Sequence, residues 1–209
     1  MEEENPAKIP DTAPVMVLGG ATLFPYSYMP LFLFEQRYRD MLSYALERDR
    51  MFCLGLAIPG IDTDESNEPI HRMTTIGLIR ACVTHPDGTS HLMLSGLQRV
   101  EILGFEQHHP FRIATIIPRR SHIEDSDEAA KTALEVVDLS GKLCGYGKPM
   151  SDQLRDHLAG VSDPATVSDV VAQTFLHDPT ERQQLIEMLD VTERLRYLAD
   201  RLSMILAKE

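Results

Sequence analysis

No run of about 18 apolar residues occurs anywhere in the chain, so no membrane-spanning helix is expected. Cysteine is scarce. Cys53, Cys82 and Cys144 are far apart, odd in number and without a CxxC pair. Two of them sit inside apolar runs (MFCLGLAI and IRACV), which reads as buried free thiols in a reducing compartment. Positive charge is also short, with 20 Lys and Arg against 32 Asp and Glu and a net charge of -12. That balance repels phosphate backbones and anionic lipid, so neither nucleic acid nor a membrane surface is an expected partner. The opening MEEENPAKIPDTAP has three early glutamates and Pro6, Pro10 and Pro14 in place of a basic start and apolar core. It reads as a flexible tail over residues 1–14, and the cytoplasm is the expected location.

Catalytic signatures are equally thin. Gly141-Lys-Leu-Cys-Gly145-Tyr-Gly147-Lys148-Pro149 superficially resembles a phosphate loop, but Pro149 stands where a Mg²⁺-binding Ser or Thr is required and the glycine spacing is one residue too long. A turn between helices is expected there. His108-His109 is the one adjacent histidine pair and has no HExxH or cysteine partner near it. Ser95-Gly96 lacks the first glycine of a nucleophile elbow. The carboxylates Glu124, Asp125, Asp127 and Glu128 fall in a polar stretch with nothing apolar to raise a pKa. No catalytic residue, cofactor or metal is expected, and no repeat of fixed period appears.

What is present divides in two. From Val15 to Pro118, short apolar stretches broken by turns indicate strands. VMVL is followed by Gly19-Gly20, and YSYMPLFLF alternates, though Pro25 and Pro30 keep it from being a central strand. FEQRYRDMLSYALE (34–47) changes to a helical period that puts Phe34, Tyr38, Met41, Leu42 and Ala45 on one face, with Glu35 and Arg39 at i,i+4. MFCLGLAI is an apolar strand followed by an acidic loop. TTIGLIRACVTH and SHLMLSG flank Pro86-Asp87-Gly88, a hairpin in which Gly88 supplies the positive φ. RVEILGF and FRIATIIP follow, the latter placing Phe111, Ile113, Thr115 and Ile117 on one face. Five or six short strands with one helix suggest a small barrel or folded sheet.

After a polar hinge at 119–127, residues 128–209 read as a helical bundle. Ala130, Leu134 and Val137 share a face, as do Leu154 and Leu158. Asp163-Pro164 and Asp178-Pro179 mark helix starts. The last helix opens at Asp190, and its stripe of Leu195, Leu198, Leu202 and Ile205 is expected to pack on its own bundle.

The ordered series VMVLGGATLFPYSYMPLFLFEQRYRDML, IGLIRACVTHPDG, LSGLQRVEILGF and HPFRIATIIP resembles the N-terminal substrate-binding domain family of Lon-type ATP-dependent proteases. The family's "LFP" turn is matched by Leu23, Phe24 and Pro25. Its proline and aliphatic-Phe-Glu-x-Arg-Tyr-Arg run are matched by Pro30, Phe34, Glu35, Arg37, Tyr38 and Arg39. Gly77 matches a glycine before a strand, Gly96-Leu97-Gln98-Arg99 a Gly-x-x-Arg, and Phe111 follows Pro110 in a Pro-Tyr/Phe slot. The likeness covers 15–118 strongly and 128–207 mainly in helix order.

The resemblance implies an α+β fold, a PUA-like β-barrel with an appended helical bundle over 15–118 and 128–209. It also implies capture of unfolded or extended polypeptide, with a separate ATPase or protease as a candidate partner and homo-oligomerisation left open. The motif residues read as scaffold, with Glu35 and Arg37 poised to pair with strand-end backbone or Arg99 and with Phe34 and Tyr38 capping the barrel. Met29, Leu31 and Phe32 are the candidate polypeptide-binding residues. The rival readings are a small thiol-dependent hydrolase using one of the three cysteines near a histidine, and RNA binding in the manner of PUA folds.

Overall fold

The computed structural model describes residues 8–60, 68–145, 160–161 and 163–208. The strands are β1 (Thr12–Leu18), β2 (Tyr28–Leu33), β3 (Met51–Leu56), β4 (Met73–Thr84), β5 (Ser90–Gln107) and β6 (Arg112–Pro118), with α1 (Gln36–Leu46) between β2 and β3. They form one sheet in the order β2-β5-β4-β3-β1-β6, and β6 pairs again with β5. Five strands therefore close on themselves, and β2 is left as an edge strand, the position that Pro30 tolerates.

β1 begins three residues ahead of Val15: Thr12 and Ala13 already pair with Thr115 and Ala114 of β6. Ala13 is buried, so the loose tail ends sooner than the three prolines suggest. SHLMLSG and RVEILGF, read as separate strands, are two halves of β5. Register shifts between Ile76/Gly77 and Ile79/Ala81 bend the β4–β5 ladder, and further shifts bend the β5–β6 ladder. Such bulges let one long strand serve β2 at one end and β6 at the other.

The barrel interior holds Val15, Cys53, Ile76, Val100, Ile102 and Ala114. A second cluster lies under α1, where Tyr38, Met41, Leu42 and Ala45 pack with Phe52 and Leu94. The Tyr38 hydroxyl donates to the Val17 carbonyl at 2.9 Å and accepts from the Val17 N–H at 3.2 Å, tying α1 to β1. Phe34 does not share this face. It precedes the helix, whose N-cap is Glu35, and is 62% exposed. At β6 both faces are used: Phe111 and Ile113 pack in the cluster under α1 with Ile117 exposed further along, while Ala114 and Ile116 fill the barrel.

The helices that follow are α2 (Ser126–Gly145), α3 (Pro164–Phe175), α4 (Pro179–Glu187) and α5 (Val191–Leu206). α2 starts within the expected hinge, where the Asp125 side chain accepts from the N–H groups of Asp127 and Glu128. Asp163 caps α3 through Ala165 and Thr166, Asp178 caps α4 through Glu181, and Asp190 caps α5 through Thr192. Each such cap stabilises its helix by about 1 kcal/mol. Leu195, Leu198 and Leu202 are fully buried, each contributing about 2 kcal/mol of apolar transfer, and they pack within the bundle as their spacing indicated.

The face read for α2 is off by one residue. Ala129, Ala133, Val136 and Leu143 are buried, and Leu134 is 73% exposed. The run alternates small and large apolar residues so closely that two neighbouring faces have similar hydrophobicity, and packing against α5 selects the smaller one. Gly141 lies inside α2 and is helical, whereas 146–150 and Leu154 and Leu158 lie outside the described residues. Among the described residues no helix is long and apolar enough to cross a membrane.

Candidate functional site

Strand alternation decides which side chains of β2 reach solvent. Met29 and Leu31 point inward and pack against the cluster under α1, while Tyr28, Pro30, Phe32 and Phe34 face out. The candidate trio is thus split between two faces, and of its members Phe32 is the exposed one. Cross-strand pairing completes the outward surface: Phe32 is opposite His91 of β5, which is opposite Val83 of β4. Phe32 stacks on His91 with ring centroids 4.6 Å apart and lies 6.0 Å from Phe34. Phe32, His91 and Val83, together with Pro30, Ala81 and Met93, line a shallow, almost wholly apolar hollow of about 390 Å³. Phe32 is 47% and Val83 61% exposed, so substantial apolar surface faces water at a sheet edge.

The other motif residues build the junction between barrel and helices. Gly96 is where the LFP turn touches β5: its N–H donates to Ser27 and its carbonyl accepts from Tyr26. A Cβ there would sit 2.1 Å from the Phe24 carbonyl oxygen. Tyr26 takes a left-handed φ of 60°, unusual for a bulky residue and held by these two bonds. At Gly77 a Cβ would overlap the buried Leu94 side chain. Glu35 and Arg37 pair with each other at 2.9 Å instead of reaching Arg99, and Arg39 lies against Gly88 in the hairpin turn.

Three arginines fasten the junction. Arg99 donates to both carboxylate oxygens of Asp169 in α3, at 2.8 and 2.7 Å, and to the Ile186 carbonyl. Arg182 reaches from α4 to the Thr22 hydroxyl and carbonyl at 2.8 and 2.6 Å, while the Phe24 N–H donates to Gln173. Burial pushes the Arg182 guanidinium down from its ordinary pKa. Arg194 of α5 donates to Ser121 and to the Met188 carbonyl, and its Nε is 3.9 Å from Asp169. Burial pushes Arg194 down to about 10, opposed by the Asp169 charge, so it remains a cation at neutral pH. Asp169, Arg182 and Arg194 carry no sequence signal of their own.

Beside this junction lies a cleft of about 740 Å³. Pro25, Tyr26, Leu97, Ile123 and Val191 form its apolar walls, with Arg99, Asp169 and Arg120 among its charged groups.

Comparison with known proteins places this arrangement. Residues 12–203 match the family described as the ATP-dependent protease La (LON) substrate-binding domain. The chain belongs to that family. It is 29% identical over 203 residues to Lon protease 2 of Herpetosiphon aurantiacus, covering 94% of this chain and 24% of that protein. It is 25% identical over 201 residues to the Lon protease of Trichlorobacter lovleyi, covering 96% of this chain and 25% of the relative. The chain thus spans about a quarter of the length of these Lon relatives. The N-terminal domain of Mycobacterium avium complex Lon protease superposes with a TM-score of 0.72 at 20% identity, over 92% of this chain and 98% of that one. A Lon N-terminal domain protein from Xanthomonas campestris gives 0.64 at 18% identity, over 90% and 96%. Both share the mixed α+β Lon N-terminal fold.

Proposed function

We propose that this chain is a polypeptide-recognition module that holds extended or unfolded segments on the outward face of β2, β5 and β4. The observation that carries this reading is the exposed row of Phe32, His91 and Val83 beside Phe34, surrounding an apolar hollow at an edge strand. Aromatic and aliphatic side chains displayed along a strand edge suit a partner in extended conformation, whose alternate side chains can enter the hollow while its backbone lies along β2. Pro30 removes one backbone donor from β2, so side-chain contact supplies more of the affinity than strand addition does.

Membership in a substrate-binding-domain family supports the same reading, and the match does not draw on a proteolytic module. The module is non-enzymatic in this proposal, acts in the cytoplasm and delivers its clients to a separate ATPase or protease. The test is binding of a fluorescently labelled, permanently unfolded polypeptide, followed by anisotropy. Phe32→Ser together with Val83→Ser should weaken binding by roughly tenfold while shifting the thermal unfolding midpoint little, because both are surface side chains outside the buried clusters. Undiminished binding by the double variant would sink the assignment to this face.

A further inference from the structure

The geometry points to a second binding site, the cleft between the LFP turn and the first turns of α3 and α5, which receives a carboxylate of the bound polypeptide, foremost its C-terminal one. This inference rests on the polypeptide-binding reading above and adds a chemical specificity to it.

Four features converge on the cleft. Arg120 is exposed in its wall and makes no hydrogen bond or ion pair among the described residues, in contrast to Arg119 beside it, which is held by Glu101. Asp169 is the single carboxylate set between two buried guanidiniums. Arg99 takes both of its oxygens, and the Nε of the fully buried Arg194, which does not line the cleft, lies 3.9 Å from it, so Asp169 is neutralised from within and does not repel an anion in the cleft. The two acids at the helix starts are already engaged: Asp163 accepts from Ala165, Thr166 and the Thr166 hydroxyl, and Asp190 accepts from the Thr192 N–H. Their negative charge is therefore opposed by the positive ends of α3 and α5. The walls are apolar, and Tyr26 stands in the left-handed conformation with its ring about half exposed, a strained placement of the kind that persists where surrounding contacts impose it.

The occupant follows from this chemistry. The exposed Arg120 guanidinium, without a hydrogen bond or ion pair among the described residues, pairs best with a planar two-oxygen anion. The net charge of -12 disfavours a polyanion, so nucleic acid is a poor fit, whereas one carboxylate is read locally within about a Debye length of Arg120. Apolar walls beside the cationic group match a chain end whose last side chain is apolar.

The test measures anisotropy of a labelled, unstructured apolar peptide with a free C-terminal carboxylate against the same peptide ending in an amide. The carboxylate form should bind roughly tenfold more tightly, the size expected of one charge-assisted hydrogen-bonded pair. Arg120→Ala should bring the two forms within about twofold of each other, and Arg120→Lys should restore part of the preference; Arg120 is exposed, so the fold is expected to tolerate both. Equal affinity of the two forms for the unaltered chain, with Phe32→Ser weakening both, overturns this inference and leaves the sheet-face reading standing. Failure of both forms to bind overturns both readings. Displacement of peptide by inorganic phosphate without any preference for carboxylate over amide also overturns it, because the site would then be a general anion site.

Discussion

The Arg99 guanidinium grips both oxygens of Asp169 across 70 residues of sequence, with each side chain only 2% exposed. An exposed pair such as Arg196 with Glu128 is screened by solvent and can lose a partner cheaply, but a buried one cannot. Asp169→Ala strands two guanidiniums without a counter-charge and is expected to cost about 3–5 kcal/mol in urea unfolding. A loss under 1 kcal/mol would show that water enters the junction and replaces the carboxylate.

The glycines of the family motif are expected to differ in their tolerance of a methyl group. At Gly96 the obstacle is the Phe24 backbone, which is itself fastened by Gln173, whereas at Gly77 it is the end of a leucine side chain. Gly77→Ala should cost about 1–3 kcal/mol as an overpacked core position. Gly96→Ala should cost more and displace the LFP turn. Denaturation midpoints of the two variants check the ranking.

Burial inside the barrel, which desolvates the thiolate, pushes the Cys53 thiol up to about 12. In a Cys82→Ser, Cys144→Ser background, Cys53 should resist iodoacetamide at pH 8 until the chain unfolds. Rapid modification of the folded chain would instead favour the thiol-hydrolase reading.

The Glu128 carboxyl, at the start of α2, is held below its ordinary pKa by its hydrogen bonds to Arg196 of α5. A carboxyl depressed in the folded state contributes stability that is present above its unfolded pKa and lost as pH falls through the folded value. Glu128→Gln should therefore lower the unfolding midpoint slightly at neutral pH, with the difference shrinking as the solution is taken below the ordinary glutamate range. Thermal melts across that range test it, and a difference that grows on acidification would contradict the pairing.

Local chemistry was the legible part of this fold. Asp-Pro pairs announced the starts of α3 and α4, Gly88 announced the hairpin, and Leu195, Leu198 and Leu202 announced the buried stripe of α5. Faces were harder. Phe34 looked periodic with Tyr38 but lies ahead of the first helical residue, and the candidate trio of β2 mixed two sides of a strand whose alternation should have separated Met29 and Leu31 from Phe32. The barrel side of the junction was legible in the LFP turn, Gly96 and Arg99, but its helical side was not. The Arg99 partners Asp169, Leu185 and Ile186 come from helices far along the chain, and nothing in PATVSDVVAQTF marks its one acidic residue as buried.

Because Arg182 reaches the Thr22 backbone and Arg99 reaches Asp169, neither half of the molecule has a finished surface where it meets the other. Severing the chain near Pro118 would expose Phe24 and an unpaired Arg99 on the first fragment, and leave Asp169 with Arg194 as its remaining cation on the second. Melting should accordingly be a single event, with the sheet and the helices lost together.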